Sequence, residues 1–394
     1  MTNEAFISQN RDADVRAVAL GNTPQGIDLQ FCLQQIAGRQ AAQRKLPSWA
    51  KTEGIVYPPR LSMEQCSSEQ TALYKQHLAE RLLPGKRQRM ADLTGGFGID
   101  FAFLAKVFDE ADYVEQDQHL CAIARHNLPL LGLKKARIHC MKSEDFIDGM
   151  GDFCLIYIDP SRRNADGRKV VALSDCSPDI EVLQDKLLCH APTVMVKLSP
   201  MLDIEDALRR LTRVSEVHVV SVGGECKEVL LVLGRQSSGV RYYCSNITAQ
   251  VRTFCAESRN AEPVIAPHPE RYLYEPNASI LKAGVQNALC RDYNVRKLHL
   301  FSHLFTSAHF IGDFPGRAFV IEDSCSFAKK DLKRMLEGLS QCNLTVRNFP
   351  ASVAELRKRL KLREGGDCYL FATTLSDGSH ALLRCRQCFT GGSE

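Results

Sequence analysis

Three acidic residues stand where predicted parallel strands end. Asp92, Glu115 and Asp159 close the segments "RMADLT", "DYVEQD" and "DFCLIYIDP". Because the carboxyl ends of parallel strands meet at one edge of a doubly wound sheet, we expect these carboxylates to share a crevice. Carboxylates there can accept hydrogen bonds from hydroxyl or amino groups and can take up a proton. The spacing therefore predicts a ligand site at that edge.

A glycine-rich turn follows the first of these acids. The segment "ADLTGGFGID" places Gly95, Gly96 and Gly98 between a predicted strand and a predicted helix. Glycine costs roughly 1 kcal/mol relative to alanine inside a helix, but it suits a turn whose backbone closely approaches a ligand. The glycines read G-G-x-G, so the dinucleotide pattern G-x-G-x-x-G is absent. This disfavours a pyrophosphate site, although a nicotinamide cofactor stays open as an alternative.

The elements that position these residues alternate between strands and helices from about residue 88 to residue 234. Near-continuous apolar strands such as "DFCLIYI" and "TVMVKL" lie between amphipathic helices such as "IEVLQDKLLCH". This pattern is typical of a parallel sheet covered on both faces, and it predicts an α/β, Rossmann-like domain. The segments "EVHVVSVGG" and "EVLLVLG" are expected to form a hairpin at the edge of that sheet. Residues 237–260 are left unassigned.

Different patterns flank the central domain. Residues 1–85 are predicted to be mostly helical, and Ser67 is expected to cap the helix in "SSEQTALYKQHLAERLL". A small α+β unit follows the central domain, with a helix near 277–291 and a strand near 296–301. The segments after residue 314 read strand, helix, strand, helix, strand, strand.

The composition excludes several classes of protein. The chain has 394 residues, of which 44% are hydrophobic and 24% charged, as in ordinary globular proteins. No apolar run approaches the length of a membrane helix, and the N-terminal segment lacks the apolar stretch of a signal peptide, so we expect a cytoplasmic protein without a membrane partner. The 16 cysteines are scattered, which is unlike a disulfide framework. Cys385 and Cys388 form a lone C-x-x-C, a weak zinc pattern, and no metal is expected.

Positive charge is concentrated near the C-terminus. Residues 328–364 contain ten basic and four acidic residues, whereas the whole chain has a net charge of +4. The basic residues lie on two predicted helices, as in a face that contacts phosphates, although solvated helices are often rich in lysine as well. Few aromatic residues interleave with them, which favours folded RNA over a stacked single strand.

The segments "ADLTGGFGID", "VEQD" and "YIDPSRR" resemble the cofactor and catalytic motifs of class I S-adenosylmethionine (SAM)-dependent methyltransferases. The later segments "YLYEPNASILKAG" and "NFPASVAELRKRLKLREGGDCYLFAT" resemble a bacterial methyltransferase family with ferredoxin-like and THUMP-like domains. The resemblance implies a helical N-terminal region (1–85), a methyltransferase domain (86–258), a ferredoxin-like α+β domain (259–313) and a THUMP-like RNA-binding domain (314–394). THUMP domains recruit structured RNA, commonly tRNA, so an RNA methyltransferase is implied.

The same resemblance implies a role for individual residues. SAM would be the cofactor, Glu115 would bind its ribose, and Glu144 or Asp145 would face its adenine, with the choice between these two left open. The cofactor-binding candidates at the glycine turn are Asp92, Thr94, Gly95, Gly96 and Gly98. Asp117 is interpreted only as a helix cap. The catalytic candidates are Asp159, Pro160 and Arg162, and Asp159 would contact the base to be methylated.

The sequence departs from the motifs of related enzymes after Asp159-Pro160. Enzymes that methylate exocyclic amines often carry D-P-P-Y, whose aromatic residue stacks on the flipped base, but this chain has Ser161 and Arg162 there. Arg162 or Arg163 could stack on the base or contact phosphate instead. Cytosine-C5 enzymes need a nucleophilic cysteine, often next to the proline of this motif, but none is there, and the next cysteine after the motif is Cys176. The pattern therefore favours methylation of a nitrogen.

The basic C-terminal segment supplies the RNA-binding candidates. They are Lys330, Arg334, Arg357, Lys358, Arg359 and Lys361. Lys197, which ends the strand "VMVKL", could line the pocket or simply be solvated. The alternatives left open by the sequence are a DNA or protein methyltransferase and a non-catalytic RNA-binding protein with a degenerate Rossmann-like domain.

Overall fold

A computed structural model describes residues 1–85, 87–162, 173–235 and 239–388. The chain divides into two compact units. Unit 1 comprises Met1–Ser215 and Leu230–Ser238, and unit 2 comprises Glu216–Val229 and Gly239–Glu394.

The N-terminal part of unit 1 is helical, as predicted. Its helices are α1 (Asn3–Asn10), α2 (Val15–Leu20), α3 (Leu29–Lys45), α4 (Pro47–Lys51), α5 (Arg60–Gln65) and α6 (Glu69–Leu82). The expectation that Ser67 caps α6 was wrong. Ser68 is the N-cap and accepts a hydrogen bond from the Thr71 amide, because the Ser67 hydroxyl is directed into the protein instead.

A parallel sheet forms the centre of unit 1. Its elements are β1 (Arg89–Asp92), α7 (Ile99–Leu104), β2 (Glu110–Glu115), α8 (Gln118–Leu130), β3 (Arg137–Cys140), α9 (Ser143–Gly149), β4 (Leu155–Ile158), the short pair β5 (Ser161–Arg162) and β6 (Cys176–Ser177), α10 (Ile180–His190), β7 (Thr193–Leu198) and α11 (Ile204–Arg210). Five strands pair in parallel in the order β7-β4-β1-β2-β3. The order reverses beside β1, so β1 and β4 end at the switch point where ligands bind in such sheets. The Rossmann-like prediction is confirmed.

Four strands follow, of which the sequence predicted the first two. They are β8 (Val214–Val222), β9 (Glu225–Gly234), β10 (Arg241–Ile247) and β11 (Val251–Ala256). Within unit 2, β10 pairs in parallel with β8 and antiparallel with β11. The hairpin expected at the sheet edge is therefore not an edge, because β10 continues the pairing beyond β8. Strands β10 and β11 lie within residues 237–260, which the sequence left unassigned.

The described remainder of unit 2 contains a second sheet, four α-helices and a short 3-10 helix (Gln286–Ala288). The elements are β12 (Tyr272–Pro276), α12 (Ala278–Ala283), α13 (Leu289–Asp292), β13 (Arg296–Lys297), β14 (Phe305–Ser307), β15 (Gly316–Ser326), α14 (Lys329–Met335), β16 (Gln341–Arg347), α15 (Val353–Leu360), β17 (Arg363–Thr374) and β18 (His380–Cys388). The strand order is β13-β14-β12-β15-β18-β17-β16. The element order from Gly316 onward matches the prediction. The helix predicted near 277–291 is interrupted, because Gly284 ends α12 with a φ of +74°.

The helices of unit 2 that carry the basic segment are amphipathic. Met335 on α14 and Leu356 and Leu360 on α15 are buried in one apolar cluster with residues of the sheet. The lysines of both helices, together with Arg334 and Arg359, are exposed, whereas Arg357 is only partly exposed. Among the described residues, no helix is both long enough and apolar enough to cross a membrane.

Candidate active site

The turn between β1 and α7 holds Asp92 in a buried position. The Asp92 side chain is 1% exposed, and its Oδ1 accepts a hydrogen bond of 2.9 Å from the Thr94 amide. Burial raises the pKa of this carboxyl well above its ordinary value. Gly96 and Gly98 have φ values of +54° and +87°, which other residues rarely adopt. The turn thus needs glycine at both positions.

Gly95 has a different reason to be glycine. A Cβ at this position would lie 2.2 Å from the Tyr113 ring, so the buried ring leaves room for glycine alone. The Tyr113 hydroxyl also donates a hydrogen bond of 2.5 Å to the Gly96 carbonyl oxygen. Tyr113 therefore stabilises the turn through ring packing against Gly95 and a hydrogen bond to Gly96. Gly95 is thus shaped by the packing of Tyr113, a residue that was not predicted to belong to the site although the sequence places this aromatic side chain near the end of β2.

The Glu115 carboxylate is fixed by backbone amides on both sides. Its Oε2 accepts a hydrogen bond from the Gly96 amide and its Oε1 accepts one from the Asp117 amide, each at 2.9 Å. These contacts connect the end of β2 to the glycine turn. Asp117 caps α8, as the sequence predicted, since its Oδ1 accepts from the His119 and Leu120 amides. Both Glu115 oxygens keep lone pairs that can accept ligand hydroxyls.

Asp159 lies at the end of β4 with its carboxylate partly exposed. Its amide donates a hydrogen bond of 2.6 Å to Thr94 Oγ1, which connects the two loops that follow β1 and β4. Its Oδ2 accepts a hydrogen bond of 2.6 Å from Lys197 Nζ. The Asp159 side chain is 37% exposed. Lys197 is thus part of this arrangement, which decides between the two interpretations that the sequence left open.

A buried polar cluster lies behind Asp159. Asp100 Oδ2 accepts hydrogen bonds of 2.7 Å from the hydroxyls of Ser67 and Tyr157. Lys75 Nζ lies 3.2 Å from Asp100 Oδ1, and Lys197 Nζ lies 3.5 Å from Asp100 Oδ2. Burial acts to raise the pKa of Asp100, but the two lysines and the two hydroxyls lower it to about 2. This cluster was not predicted, although the aspartate within the apolar helix "IDFAFL" is a signal for it.

These groups surround one cavity of about 360 Å³. Among the described residues that line it, six carry carboxyl groups and one is a lysine. They are Asp92, Asp100, Glu115, Asp117, Glu144, Asp159 and Lys197. Such a lining suits a ligand that brings positive charge together with hydroxyl groups. The same acidic lining disfavours binding of a dinucleotide, because its pyrophosphate would add negative charge to the cavity.

Comparison with known proteins identifies the family. A crystal structure from Porphyromonas gingivalis W83, of a protein named "putative methyltransferase", is 32% identical to this chain. The match covers 98% of this chain and 97% of the other, with a TM-score of 0.87. The chain belongs to this methyltransferase family. A family described as "THUMP domain-like" matches residues 316–387, and one described as "ferredoxin-like domain" matches residues 272–315. The resemblance stated from the sequence is therefore confirmed.

Two further relatives indicate the cofactor. Proteins from two Mycobacterium tuberculosis strains, CDC 1551 / Oshkosh and ATCC 25618 / H37Rv, are each named "uncharacterized S-adenosylmethionine-dependent methyltransferase". Each is 27% identical over 297 residues, which is 73% of this chain and 78% of the relative. The methyltransferase uses SAM. The acidic cavity fits this cofactor, because SAM carries a sulfonium and an α-ammonium group as well as ribose hydroxyls.

The remaining cofactor-binding and catalytic candidates differ in whether they line the acidic cavity. Glu144 lines the cavity, whereas Asp145 and Pro160 are not among its described lining residues. The Arg162 backbone pairs with Cys176 in the short β5–β6 ladder. The Arg162 side chain and all of Arg163 lie outside the described part of the chain.

The cysteines give no sign of a nucleophile or a metal site. Cys176 is buried outside the cavity lining, and Cys66, which does line the cavity, has a thiol pKa raised chiefly by burial. A raised pKa disfavours the nucleophilic thiolate. Within the described ranges, no group of three or more histidine, cysteine or acidic side chains could hold a metal ion. All 16 cysteines are free thiols.

A second cavity, the basic groove of unit 2, lies between α14 and α15 and measures about 420 Å³. Its lining is Phe327, Lys329, Leu332, Lys333, Leu336, Arg359, Leu360 and Lys361. It therefore has an apolar floor and four cationic groups. Of the RNA-binding candidates, Arg359 and Lys361 line this groove.

The other four RNA-binding candidates lie outside the described lining of the basic groove. Arg334 pairs with Asp323 at 3.2 Å. The Arg357 side chain is 21% exposed, and its Nη1 donates to the Cys342 carbonyl oxygen at 3.5 Å. Lys330 and Lys358 are exposed to solvent. Of the six RNA-binding candidates, the structure therefore brings only Arg359 and Lys361 together in the basic groove.

Proposed function

We propose that this enzyme methylates a nitrogen of a nucleobase in structured RNA, such as tRNA or rRNA. The observation that carries the chemistry is the Asp159 carboxylate at the edge of the acidic cavity, with one oxygen held by Lys197. The argument for RNA is the THUMP-like match together with the cationic groups around the basic groove. The proposal includes the four domains expected from the sequence, at residues 1–85, 86–258, 259–313 and 314–394, and it assigns RNA binding to the last of them.

The cofactor would be held by residues of the β1–α7 turn and of β2. Asp92 is a buried carboxyl that a cationic amino group would stabilise in its ionised form. Glu115 is held in place by the Gly96 and Asp117 amides, so its free lone pairs can accept the ribose hydroxyls. Glu144, at the start of α9, is preferred over Asp145 for the adenine side because it lines the cavity. When bound, SAM supplies an electrophilic methyl group.

Asp159 would act on the acceptor. Lys197 holds Oδ2, so Oδ1 can accept a hydrogen bond from the amino or ring N–H of a base. The hydrogen bond from the Asp159 amide to Thr94 fixes the carboxylate relative to the glycine turn. Orientation of this kind provides much of the acceleration, and the carboxylate can take up the proton that the nitrogen loses.

The test compares wild-type enzyme with Asp159→Asn on four acceptors. Methyl-labelled SAM is incubated with total RNA from a strain lacking the gene, total RNA from its parent, DNA and protein extract. We expect label in RNA from the deletion strain and little in the parental RNA, whose target is already methylated. Asp159→Asn should lower kcat by about 10²–10⁴-fold while calorimetry still detects SAM binding.

The control for this experiment is Asp148→Asn. Asp148 is an exposed aspartate that pairs with Lys186 and is not among the lining residues of the cavity. Label that enters DNA or protein in preference to RNA would overturn the proposed substrate. Wild-type turnover by Asp159→Asn would overturn the role of Asp159 in the reaction.

A further inference from the structure

Helix α6, in the N-terminal helical region, carries a lysine that is buried beneath the catalytic cavity. The Lys75 side chain is 0% exposed, and its Nζ lies 3.2 Å from Asp100 Oδ1. Asp100 belongs to α7, directly after the glycine turn. A buried charge is costly unless it is paired with an opposite charge. If Lys75 is removed, the buried Asp100 carboxylate will therefore attract another cation.

The second oxygen of Asp100 connects this pair to Asp159. Ser67 and Tyr157 donate hydrogen bonds to Asp100 Oδ2, and Lys197 Nζ lies 3.5 Å from the same atom. Lys197 Nζ is nearer to Asp159 Oδ2, at 2.6 Å. Lys197 therefore lies between two carboxylates, and its position depends on how strongly each attracts it.

We propose that Lys75 is a positioning residue for methyl transfer, because its ion pair with Asp100 leaves Lys197 on Asp159. Ser67 and Tyr157 support the same arrangement by satisfying the Asp100 oxygen that faces Lys197. The inference rests on the proposed function, since it takes Asp159 as the group that meets the acceptor. It assigns a catalytic contribution to a residue of the helical region that precedes the Rossmann-like domain.

The direction of the effect follows from the burial of the two carboxylates. Asp100 is buried, whereas the Asp159 side chain is 37% exposed and partly solvated. Charge attraction is stronger where less water intervenes, so an Asp100 without Lys75 would draw Lys197 inward. Asp159 would then lose the contact that fixes its Oδ2.

The test compares Lys75→Met with the double variant Lys75→Met/Asp100→Asn. In the single variant, we expect kcat to fall about tenfold or more, since small displacements of catalytic groups have effects of up to 10²-fold. The calorimetric Kd for SAM should stay unchanged. In the double variant, the carboxylate that competes for Lys197 is removed as well, so kcat should rise at least about threefold above that of Lys75→Met.

A purely structural role for Lys75 predicts a different result. The double variant would then be no more active than Lys75→Met, and this outcome would overturn the inference. Lys186→Met is the matched control, because Lys186 is an exposed lysine paired with Asp148, and its kcat should equal that of wild type.

Two further measurements keep the test decisive. Crystal structures should show Lys197 Nζ nearer to Asp100 than to Asp159 in Lys75→Met, and back on Asp159 in the double variant. If Lys75→Met does not fold, Ser67→Ala removes one hydrogen bond from Asp100 Oδ2 and should lower kcat in the same direction, by about two- to fivefold. Unchanged kcat in Ser67→Ala together with an inactive double variant would refute the inference.

The failure of this inference can be separated from the failure of the proposed function. Wild-type turnover by Asp159→Asn would refute the role of Asp159 itself. An impaired Asp159→Asn with a fully active Lys75→Met would refute the inference alone. The position of Lys197 in the crystal structures does not depend on which acceptor the enzyme uses.

Discussion

At the scale of single residues, the acids of the cavity differ in how the protein holds them. Glu115 and Asp159 accept hydrogen bonds from backbone or lysine donors and remain accessible to a ligand. Asp92 is almost fully buried, and its pKa is raised because burial disfavours the charged form. A cationic ligand group would relieve that cost. Asp92 is therefore the residue at which cofactor binding should depend most on charge.

Asp92→Asn tests this dependence while keeping the shape of the side chain. Hydrogen bonds to charged groups contribute roughly 1.5–3 kcal/mol, so the Kd for SAM should rise about 10- to 150-fold. Isothermal titration calorimetry of wild type, Asp92→Asn and the surface control Asp148→Asn measures the change. An unaltered Kd in Asp92→Asn would contradict the assignment of Asp92 to the cofactor, as would binding of NAD in place of SAM.

The sequence allowed the carboxylates at the strand ends to be predicted, because each directly follows an apolar strand in a regular βα alternation. It did not allow Lys75, Ser67 or Tyr113 to be predicted. Lys75 and Ser67 act through Asp100, which lies in a different element, and the pairing of distant elements leaves no local periodic signal. The requirement for glycine at position 95 comes from the packing of the Tyr113 ring, which only the three-dimensional structure shows.

At the scale of elements, the N-terminal helices support the glycine turn. The Trp49 ring, 1% exposed on α4, packs edge-on against Phe97 with a centroid distance of 5.0 Å. Phe97 is the one non-glycine residue within the G-G-x-G segment. The backbone of Val56 exchanges hydrogen bonds of 2.9 and 2.8 Å with the Asn127 side chain on α8. These contacts make the helical region part of the structural support of the candidate site.

Trp49→Ala should therefore lower the stability of the protein. Truncation of a buried tryptophan costs about 3–5 kcal/mol of unfolding free energy, because it leaves a cavity that the surroundings fill only in part. Urea denaturation followed by circular dichroism measures this loss, since Trp49 is the only tryptophan and fluorescence would be lost with it. Trp49→Phe, which retains an aromatic ring, should lose less. A loss below about 1 kcal/mol in Trp49→Ala would mean that the ring is not part of the core.

At the scale of the whole molecule, the two candidate functions occupy separate units. The residues that line the acidic cavity belong to unit 1, and those that line the basic groove belong to unit 2. Changes in the groove should therefore alter RNA binding without altering SAM binding. The four cations around the groove are exposed, so phosphate groups can replace their hydration without first breaking a buried ion pair.

Lys333→Gln and Lys361→Gln test the basic groove through the salt dependence of RNA binding. Each phosphate contact contributes about 0.9 to the slope of log K against log salt for a duplex, so each variant that removes one contact should reduce the slope by about that amount. Filter binding over a salt series measures the slope, and calorimetry should give an unchanged Kd for SAM. Lys358→Gln removes the same charge from α15 outside the groove lining and should reduce the slope less than either groove variant. Equal effects of all three variants would mean that RNA responds to the net charge of the helices, and the basic groove would then have no special role in recognition.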